Sequence, residues 1–299
     1  MDRKIDSESA VSTVLFSSDG KLLRGICQDH KVRAWDVAAG DVKQTIAMDD
    51  GDIAPVLSSA GLTAVGKDGK LKAWDLATGK ITKSISPGSM RARRAMVAPD
   101  GQYFIGAYAV EGMPSANAIR AIDAGGKNKF TVPAGIGGIS SVAISPDGAH
   151  IVAASYDADV RAWASKNGEL LRLVDELPVS MFDMKFSPDG KWLAAAGADR
   201  TLYLYDTKTW RMARKLVGQP EMISALAFSA DGRMIATGGF SEYTQKRPVK
   251  VIIWDLTSGR PHRTVDAPSR VASVAFSPDG KSAAVSTGSK SIELWQVSA

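Results

Sequence analysis

The sequence predicts an all-β protein built from seven similar four-stranded antiparallel units. Three observations lead to this prediction: a turn tetrapeptide that recurs seven times, an aromatic–Asp pair in phase with it, and short strand-like segments between the two. Successive turn glycines lie 41, 40, 47, 42, 42 and 48 residues apart. A period in this range is typical of repeat architectures and outweighs an estimate of domain number from chain length.

Each repeat contains a Ser-Pro-Asp-Gly turn or a variant of it. Pro presets one backbone angle, Asp bonds to the backbone ahead of it, and Gly tolerates a positive φ. A tight turn is therefore predicted between the first two strands of every unit. The seven copies are Ser17–Gly20, Ser58–Gly61, Ala98–Gly101, Ser145–Gly148, Ser187–Gly190, Ser229–Gly232 and Ser277–Gly280.

The fifth repeat illustrates the four predicted strands in order. Met181–Phe186 and Trp192–Ala196 are short apolar runs on either side of the turn. A polar turn at Asp199 then leads to a third strand, Thr201–Tyr205, and a fourth strand, Arg214–Val217, completes the unit.

The third strand of each unit ends in an aromatic–Asp pair or a relative of it. In the regular repeats the second residue of the pair lies 16 positions after the turn glycine, as from Gly20 to Asp36. We expect the aromatic side chains to be structural and buried between units. The pairs are Trp35-Asp36, Trp74-Asp75, Ile122-Asp123, Trp163-Ala164, Tyr205-Asp206, Trp254-Asp255 and Trp295-Gln296.

These phased motifs resemble those of the WD-repeat family, and the resemblance extends from Ser9 to Val297. It implies a seven-bladed β-propeller of four-stranded antiparallel blades, as a single domain over residues 1–299. In that family the repeat is staggered against the blade, so the resemblance implies that Arg3–Ser7 adds the missing outer strand beside Ser291–Val297 and closes the last blade.

The sequence departs from the family pattern before the inner strands. No Gly-His pair occurs there, so the family's His–Asp network is not expected. The Asp that lies six positions before the aromatic is read as a cap for backbone N–H groups in a tight turn. It occurs as Asp29, Asp68, Asp157 and Asp199.

Composition sets few limits on function. Hydrophobic residues make up 44% of the chain and charged residues 23%, and 37 Lys and Arg against 32 Asp and Glu leave a formal charge of +5. This charge permits a nucleic-acid partner without demanding one. The single Cys27 cannot form an internal disulfide and is expected to be a small buried side chain. With no long apolar stretch and no apolar leader, we expect a cytoplasmic protein without membrane contact, or a periplasmic or secreted one if a signal peptide has been removed.

The sequence shows no constellation that predicts a reaction. The histidines His30, His150 and His262 fall in three different repeats, which argues against a triad or a zinc site. The acidic run Asp49, Asp50 and Asp52 lacks the later Glu of a calcium loop and is interpreted as a solvated loop. We therefore expect a protein that is not an enzyme and that uses neither a metal nor a cofactor.

The resemblance places partner binding on the top face, formed by the turns between second and third strands and by the connections from each outer strand to the next inner strand. Loops on a rigid scaffold often carry function, and Arg, Tyr and Met are enriched at interfaces. Ordinary solvated surface is the alternative interpretation of each residue. The candidate partner-binding residues are Arg91, Arg93, Arg270, Met222, Tyr156, Lys67, Gln28 and Tyr243.

Two insertions extend the same face. In the third and sixth repeats the distance from the turn glycine to the end of the third strand is 22 and 23 residues instead of 16. The excess predicts loops at Val110–Asn117 and Ser241–Pro248, between the second and third strands.

Charge also divides unevenly on the expected face. Arginines lead into the third repeat and aspartates into the second, a split that suits a charged protein better than a long phosphate backbone. We therefore expect a monomeric scaffold that binds a protein or peptide. A nucleic-acid-binding propeller and a small-ligand or enzymatic propeller are the alternatives, in that order. The charged residues are Arg91, Arg93, Arg94, Asp49, Asp50 and Asp52.

Overall fold

A computed structural model of the chain describes residues 3–49, 52–58, 61–66, 68–86, 92–110, 113–136, 138–156, 158, 160–174, 179–241 and 248–298. These residues form 28 strands. In chain order the strands are β1 Arg3–Asp6, β2 Val11–Phe16, β3 Leu22–Cys27, β4 Lys31–Asp36, β5 Val42–Ala47, β6 Ile53–Ser58, β7 Gly61–Val65, β8 Leu71–Trp74, β9 Ile81–Ile85, β10 Ala92–Val97, β11 Tyr103–Val110, β12 Met113–Asp123, β13 Asn128–Ile136, β14 Ile139–Ile144, β15 His150–Ser155, β16 Val160–Ala164, β17 Leu170–Val174, β18 Met181–Phe186, β19 Trp192–Gly197, β20 Thr201–Asp206, β21 Arg211–Val217, β22 Met222–Phe228, β23 Met234–Phe240, β24 Val249–Asp255, β25 Arg260–Ala267, β26 Ser273–Phe276, β27 Ser282–Ser286 and β28 Ser291–Gln296.

The strands form seven four-stranded antiparallel sheets, so the chain is an all-β seven-bladed β-propeller, as predicted. Blades 1 to 6 are the consecutive sheets β2–β5, β6–β9, β10–β13, β14–β17, β18–β21 and β22–β25, and blade 7 has the order β1-β28-β27-β26. The chain divides into two compact units, a larger one of residues 1–46 and 182–299 and a smaller one of residues 47–181. A single domain over residues 1–299 stays a prediction.

The N-terminal strand completes blade 7, which confirms the predicted closure. β1 pairs antiparallel with β28, with Arg3 opposite Leu294 and Ile5 opposite Ile292. Ile5 is almost fully buried, at 1% exposure, whereas its neighbour Lys4 points to solvent. The short strand therefore pairs with the hydrogen-bonding edge of β28 and places Ile5 beside Ile292 in the apolar core.

The turn tetrapeptides fold as their residue types predict. All seven final glycines have a positive φ, between 68° and 133°. In blade 5 the Ser187 hydroxyl donates to Asp189 at 2.6 Å and accepts the Trp192 N–H at 3.0 Å, and Asp189 also accepts the Lys191 N–H. The same bonds hold the turns of blades 1, 4, 6 and 7.

The aromatic side chains that end the third strands are buried, as predicted. Trp35, Trp163 and Trp254 are at most 2% exposed and are among the largest fully buried side chains. In the larger unit Trp254 lies in a cluster with Leu204 and Leu226 from blades 5 and 6. The side chains thus fill the space between successive blades, and this packing supports a structural role.

An arginine on the outer strand of one blade binds the next blade at three places in the larger unit. The Arg214 guanidinium donates to the carbonyls of Leu256 at 2.5 Å and Thr257 at 3.3 Å, which follow the third strand of blade 6. Arg263 donates in the same way to Gln296 and Ser298, and Arg3 donates to Val37 and Ala38. These contacts satisfy carbonyl groups at turns where the strand ladder ends.

The insertion in blade 3 forms strands instead of the predicted loop. β11 extends to Val110 and β12 begins at Met113, with Ala109 opposite Asn117, so most of Val110–Asn117 continues the hairpin. The added residues of β12 pair on both sides, Asn117 with Ala109 of β11 and Ala116 with Ile136 of β13, so their backbone groups are satisfied within the sheet. In the second insertion only Ser241 and Pro248 are described, and both lie outside strands.

Candidate protein-interaction site

The antiparallel order of strands separates two ends in every blade. The Ser-Asp-Gly turns lie at one end, and the opposite end, here called the top end, carries the turns between second and third strands and the connections to the next inner strand. In the larger unit three predicted residues lie at top ends: Gln28, Met222 and Arg270. Gln28 and Arg270 are exposed, and Met222 is half-buried.

Two aromatic side chains join Met222 and Arg270 at the top ends of blades 5 to 7. The ring centroids of Phe182 and Phe240 are 5.9 Å apart, and the Arg270 guanidinium lies over the Phe240 ring at 5.1 Å from its centroid. Met222 is directly opposite Phe240 in the β22–β23 ladder, so both side chains point to the same face of the sheet. We call Phe182, Met222, Phe240 and Arg270 the Phe240 patch.

Two consecutive glycines bring the strands of this patch close together. A Cβ at Gly239 would lie 1.6 Å from the Met222 carbonyl oxygen, and a Cβ at Gly238 would lie 2.7 Å from Val271. The Val271 N–H donates to the Gly239 carbonyl at 2.8 Å. The missing Cβ at Gly238 therefore lets the Val271 side chain pack against β23, and the Val271 N–H bond holds the loop that carries Arg270 beside that strand.

The sequence identified half of this patch. Met222 and Arg270 were found from their alignment with the starts of other inner strands, and Phe182 and Phe240 were missed. A half-exposed aromatic at the end of a strand reads as core when only alternation is considered. The Gly-Gly pair before Phe240 is the signal that was available, because glycine inside a strand often marks close backbone approach.

In the smaller unit, Tyr156 is placed at the top end of blade 4, as predicted, and is 56% exposed. Its N–H donates to the Gly138 carbonyl at 3.0 Å, and its carbonyl accepts the Ser180 hydroxyl at 2.7 Å. Of the other candidates, Arg93 lies on β10 with its side chain outside the description. Arg91, Lys67 and Tyr243 lie outside the described residues.

Blade 6 contains a chain of hydrogen bonds between buried side chains. Its members are a Trp, a Thr and a Gln instead of the His and Asp of the family's network. Trp254 Nε1 donates to Thr237 Oγ1 at 2.9 Å, Thr237 Oγ1 donates to Gln219 Oε1 at 2.8 Å, and Gln219 Nε2 donates to the Lys250 carbonyl at 2.7 Å. Gln219, which follows Gly218 just before the inner strand, is 4% exposed. An amide side chain there links the aromatic of the third strand to the top end of the blade.

Blade 1 uses an ion pair at its top end. Arg33, whose side chain is 3% exposed, donates to both carboxylate oxygens of Asp29 at 2.9 and 2.6 Å and to Glu8 at 2.9 Å. The Arg33 guanidinium holds the pKa of Asp29 below its usual range. Cys27 beside it is buried, as expected, and burial raises the pKa of its thiol.

The other turn aspartates vary in their partners. Asp68 accepts the Lys70 N–H and Asp199 accepts the Thr201 N–H, which confirms their role as backbone caps. Asp199 also accepts the Tyr203 hydroxyl at 2.5 Å, and burial and this bond raise the pKa of Tyr203 to about 12. Asp157 lies outside the described residues.

The acidic segment before blade 2 was expected to be solvated, and for Asp52 this was wrong. The Asp52 side chain is fully buried and accepts a hydrogen bond from Lys72 Nζ at 2.8 Å, while Asp49, which is exposed, accepts a second at 2.5 Å. A buried lysine needs such partners because an unpaired charge in the interior is costly. Asp50 lies outside the described residues.

The described histidines lie in three different blades. His30 and His262 are exposed, and His150, at the start of β15, is half-buried. Within the described part of the chain, no group of three or more His, Cys, Asp or Glu side chains is arranged to hold a metal ion. Nor does that part contain a helix long and apolar enough to cross a bilayer.

Comparison with known families gives four matches, all to WD40, the WD domain, G-beta repeat family. They cover residues 126–164, 176–206, 210–242 and 259–296. The match at 259–296 runs from the outer strand of blade 6 through the three strands of blade 7, which is the stagger implied by the sequence. Among curated proteins, none matches this sequence. The four matches identify the repeats between residues 126 and 296 as WD repeats, and blades 1 to 3 are four-stranded antiparallel sheets of the same kind.

Proposed function

We propose that this chain is a non-catalytic scaffold that binds a protein or peptide partner on its top face, with the Phe240 patch as the anchor. WD-repeat propellers are typically interaction scaffolds, and this general role agrees with the fold. The observation that supports the finer proposal is a group at the top ends of blades 5 to 7: two half-buried aromatic rings in contact, an arginine over one of them, and a methionine opposite that ring in the ladder.

The residue types of the patch suit an interface core. Aromatic residues, Met and Arg are enriched where partners are fully desolvated, and a few such anchors supply most of the binding energy. Phe182, Met222 and Phe240 are neither fully buried nor fully exposed, so a partner has apolar surface left to cover. Gln28 and Tyr156, both exposed at top ends, are proposed as further contacts within their own units.

Four further contact residues, the oligomeric state and the location of the protein are also proposals. Arg91, Arg93, Lys67 and Tyr243 stay predicted contacts. A monomeric state and a cytoplasmic location also stay predictions.

The test is a selection of random displayed peptides on the wild-type protein, followed by dissociation constants measured by fluorescence anisotropy. We expect the double variant Phe182→Ala, Met222→Ala to bind the selected peptides at least about tenfold more weakly. Met212→Ala is the matched control, because Met212 is 42% exposed on the outer strand of blade 5 and should leave binding unchanged. Unfolding curves verify that all variants are folded.

Two results would contradict the proposal. Peptides that bind the folded double variant as tightly as the wild type would show that the patch is not the anchor. Loss of binding in Met212→Ala alone would place the site on the outer edge of blade 5.

A further inference from the structure

Arg270 is held in place before any partner arrives. The next residue, Val271, is fully buried, donates its N–H to the Gly239 carbonyl at 2.8 Å and accepts the Ser224 hydroxyl on its own carbonyl at 3.2 Å. The Arg270 side chain then lies over the face of Phe240. Two backbone anchors and one ring contact thus restrict both the loop and the guanidinium, which lowers the entropy cost of binding.

Stacking on the ring leaves the hydrogen-bond donors of Arg270 available. A guanidinium carries its five N–H groups in its own plane, so a ring beneath it uses none of them. Among the described residues, Arg270 forms no ion pair and no hydrogen bond through its side chain. The Arg270 side chain is exposed and lies next to the apolar Phe240 ring.

The described carboxylates near the patch already accept hydrogen bonds from other groups of this chain. Asp183 accepts the Leu226 N–H at 3.0 Å and pairs with Lys185 at 3.0 Å. Glu221 accepts the Gln219 amide at 3.2 Å and the Lys250 N–H at 3.3 Å. These bonds fix both acids in structural roles, so among the described residues neither acid pairs with Arg270, and an external oxyanion would complement its charge.

The residues around Arg270 indicate which kind of molecule would carry this oxyanion. Phe182 and Met222 offer half-buried apolar surface beside the guanidinium, and a planar fork of donors matches a carboxylate in bidentate geometry. We propose, on the basis of the proposed function, that the partner segment is an acidic peptide in which Asp or Glu lies beside a large apolar residue. The carboxylate binds Arg270 and the apolar side chain covers Phe182 and Met222.

The probe is an array of octapeptides in a Gly-Ser background, each with one Asp or Glu beside one Leu, Ile, Met or Phe. Matched copies carry Asn or Gln in place of the acid, and a further set carries phosphoserine. We expect acidic members to bind, their amide copies to bind about tenfold more weakly, and Arg270→Ala to remove this preference. Arg270→Lys should restore part of it, and Arg260→Ala, an exposed arginine on the outer strand of blade 6, should leave it intact.

The outcomes separate this inference from the proposed function. If the amide copies bind the wild type as tightly as the acidic peptides, and binding still requires Phe182 and Met222, the proposed binding of a carboxylate is wrong. The proposed peptide site then stands. If phosphoserine peptides bind about tenfold more tightly than Glu peptides, the oxyanion is a phosphate, and the proposal that it is a carboxylate is wrong. If no octapeptide distinguishes the wild type from Phe182→Ala, Met222→Ala, both proposals fail.

Discussion

Trp35 and Trp254 hold the same position in two repeats but have different surroundings. Trp254 donates its indole N–H to Thr237, whereas Trp35 Nε1 is buried with no hydrogen-bond partner among the described residues. The residue of blade 1 that corresponds to Thr237 is Gly25, where a Cβ would lie 2.9 Å from the Trp35 ring. The Trp at this repeat position thus forms a hydrogen bond in blade 6, whereas in blade 1 its contacts with the described residues are packing contacts.

This difference predicts unequal costs for the same substitution. Trp254→Phe breaks the chain to Thr237 and Gln219, whereas Trp35→Phe removes an N–H that has no described partner. Both changes remove similar volume, so we expect Trp254→Phe to lower the free energy of unfolding by about 1–3 kcal/mol more than Trp35→Phe. Urea unfolding of the two variants measures the difference. Equal losses would mean that the hydrogen-bonded chain adds no net stability.

At the scale of single strands, the outer strands connect blades as well as complete them. Arg214 and Arg263 reach from β21 and β25 to carbonyls of the following blade, and Arg3 does the same from β1. β1 is only four residues long, so its buried Ile5 and its Arg3 contacts are a large part of what holds it.

We therefore expect deletion of residues 1–8 to lower the melting temperature markedly, because β28 would lose its partner strand and the core would lose Ile5. Within the full chain, Ile5→Ala should cost about 2–5 kcal/mol. Lys4→Ala is the matched control, because Lys4 points to solvent and makes only an exposed ion pair at 3.9 Å. A melting temperature unchanged by the deletion would refute the role of β1 in closing the blade.

At the scale of the whole molecule, the same hydrogen bond from a Ser hydroxyl to an Asp carboxylate recurs in the turns. In five of the seven turns the Ser hydroxyl, as the main cause, holds the pKa of the Asp two residues later below its ordinary 3.8. The aspartates are Asp19, Asp147, Asp189, Asp231 and Asp279.

The sign of the pH dependence follows from these shifts. A carboxyl with a lowered pKa in the folded chain contributes stability that is complete above its unfolded pKa and is lost as the pH falls through its folded pKa. We expect the urea midpoint to be level from pH 6 to about pH 4.5 and to fall steadily below that. The double variant Ser229→Ala, Ser277→Ala should show a shallower fall, because two aspartates lose the bond that lowers their pKa. A variant with the same acid dependence as the wild type would exclude the hydroxyl as the cause.

The resemblance to the WD-repeat family implied the closing strand, and the sequence alone was enough to predict the seven repeats and the order of their strands. These follow from local rules: Asp-Gly turns need a positive φ, alternating apolar residues form half-buried strands, and the third-strand aromatics recur in phase. The same rules placed Met222 and Arg270 at the top ends of blades, because a residue's place in a repeat fixes the end of the sheet at which it lies.

Which of these residues touch, and which charges are buried, depends on how the strands and blades pack in three dimensions. Phe182 and Phe240 lie 58 positions apart in the chain and meet because blades 5 and 6 pack side by side. Asp52 reads as a solvated acid in the sequence, yet it is buried because Lys72, from a different strand, supplies its counter-charge. Pairings of this kind depend on distances between separate strands, and a repeat pattern contains no information about those distances until the blades are packed.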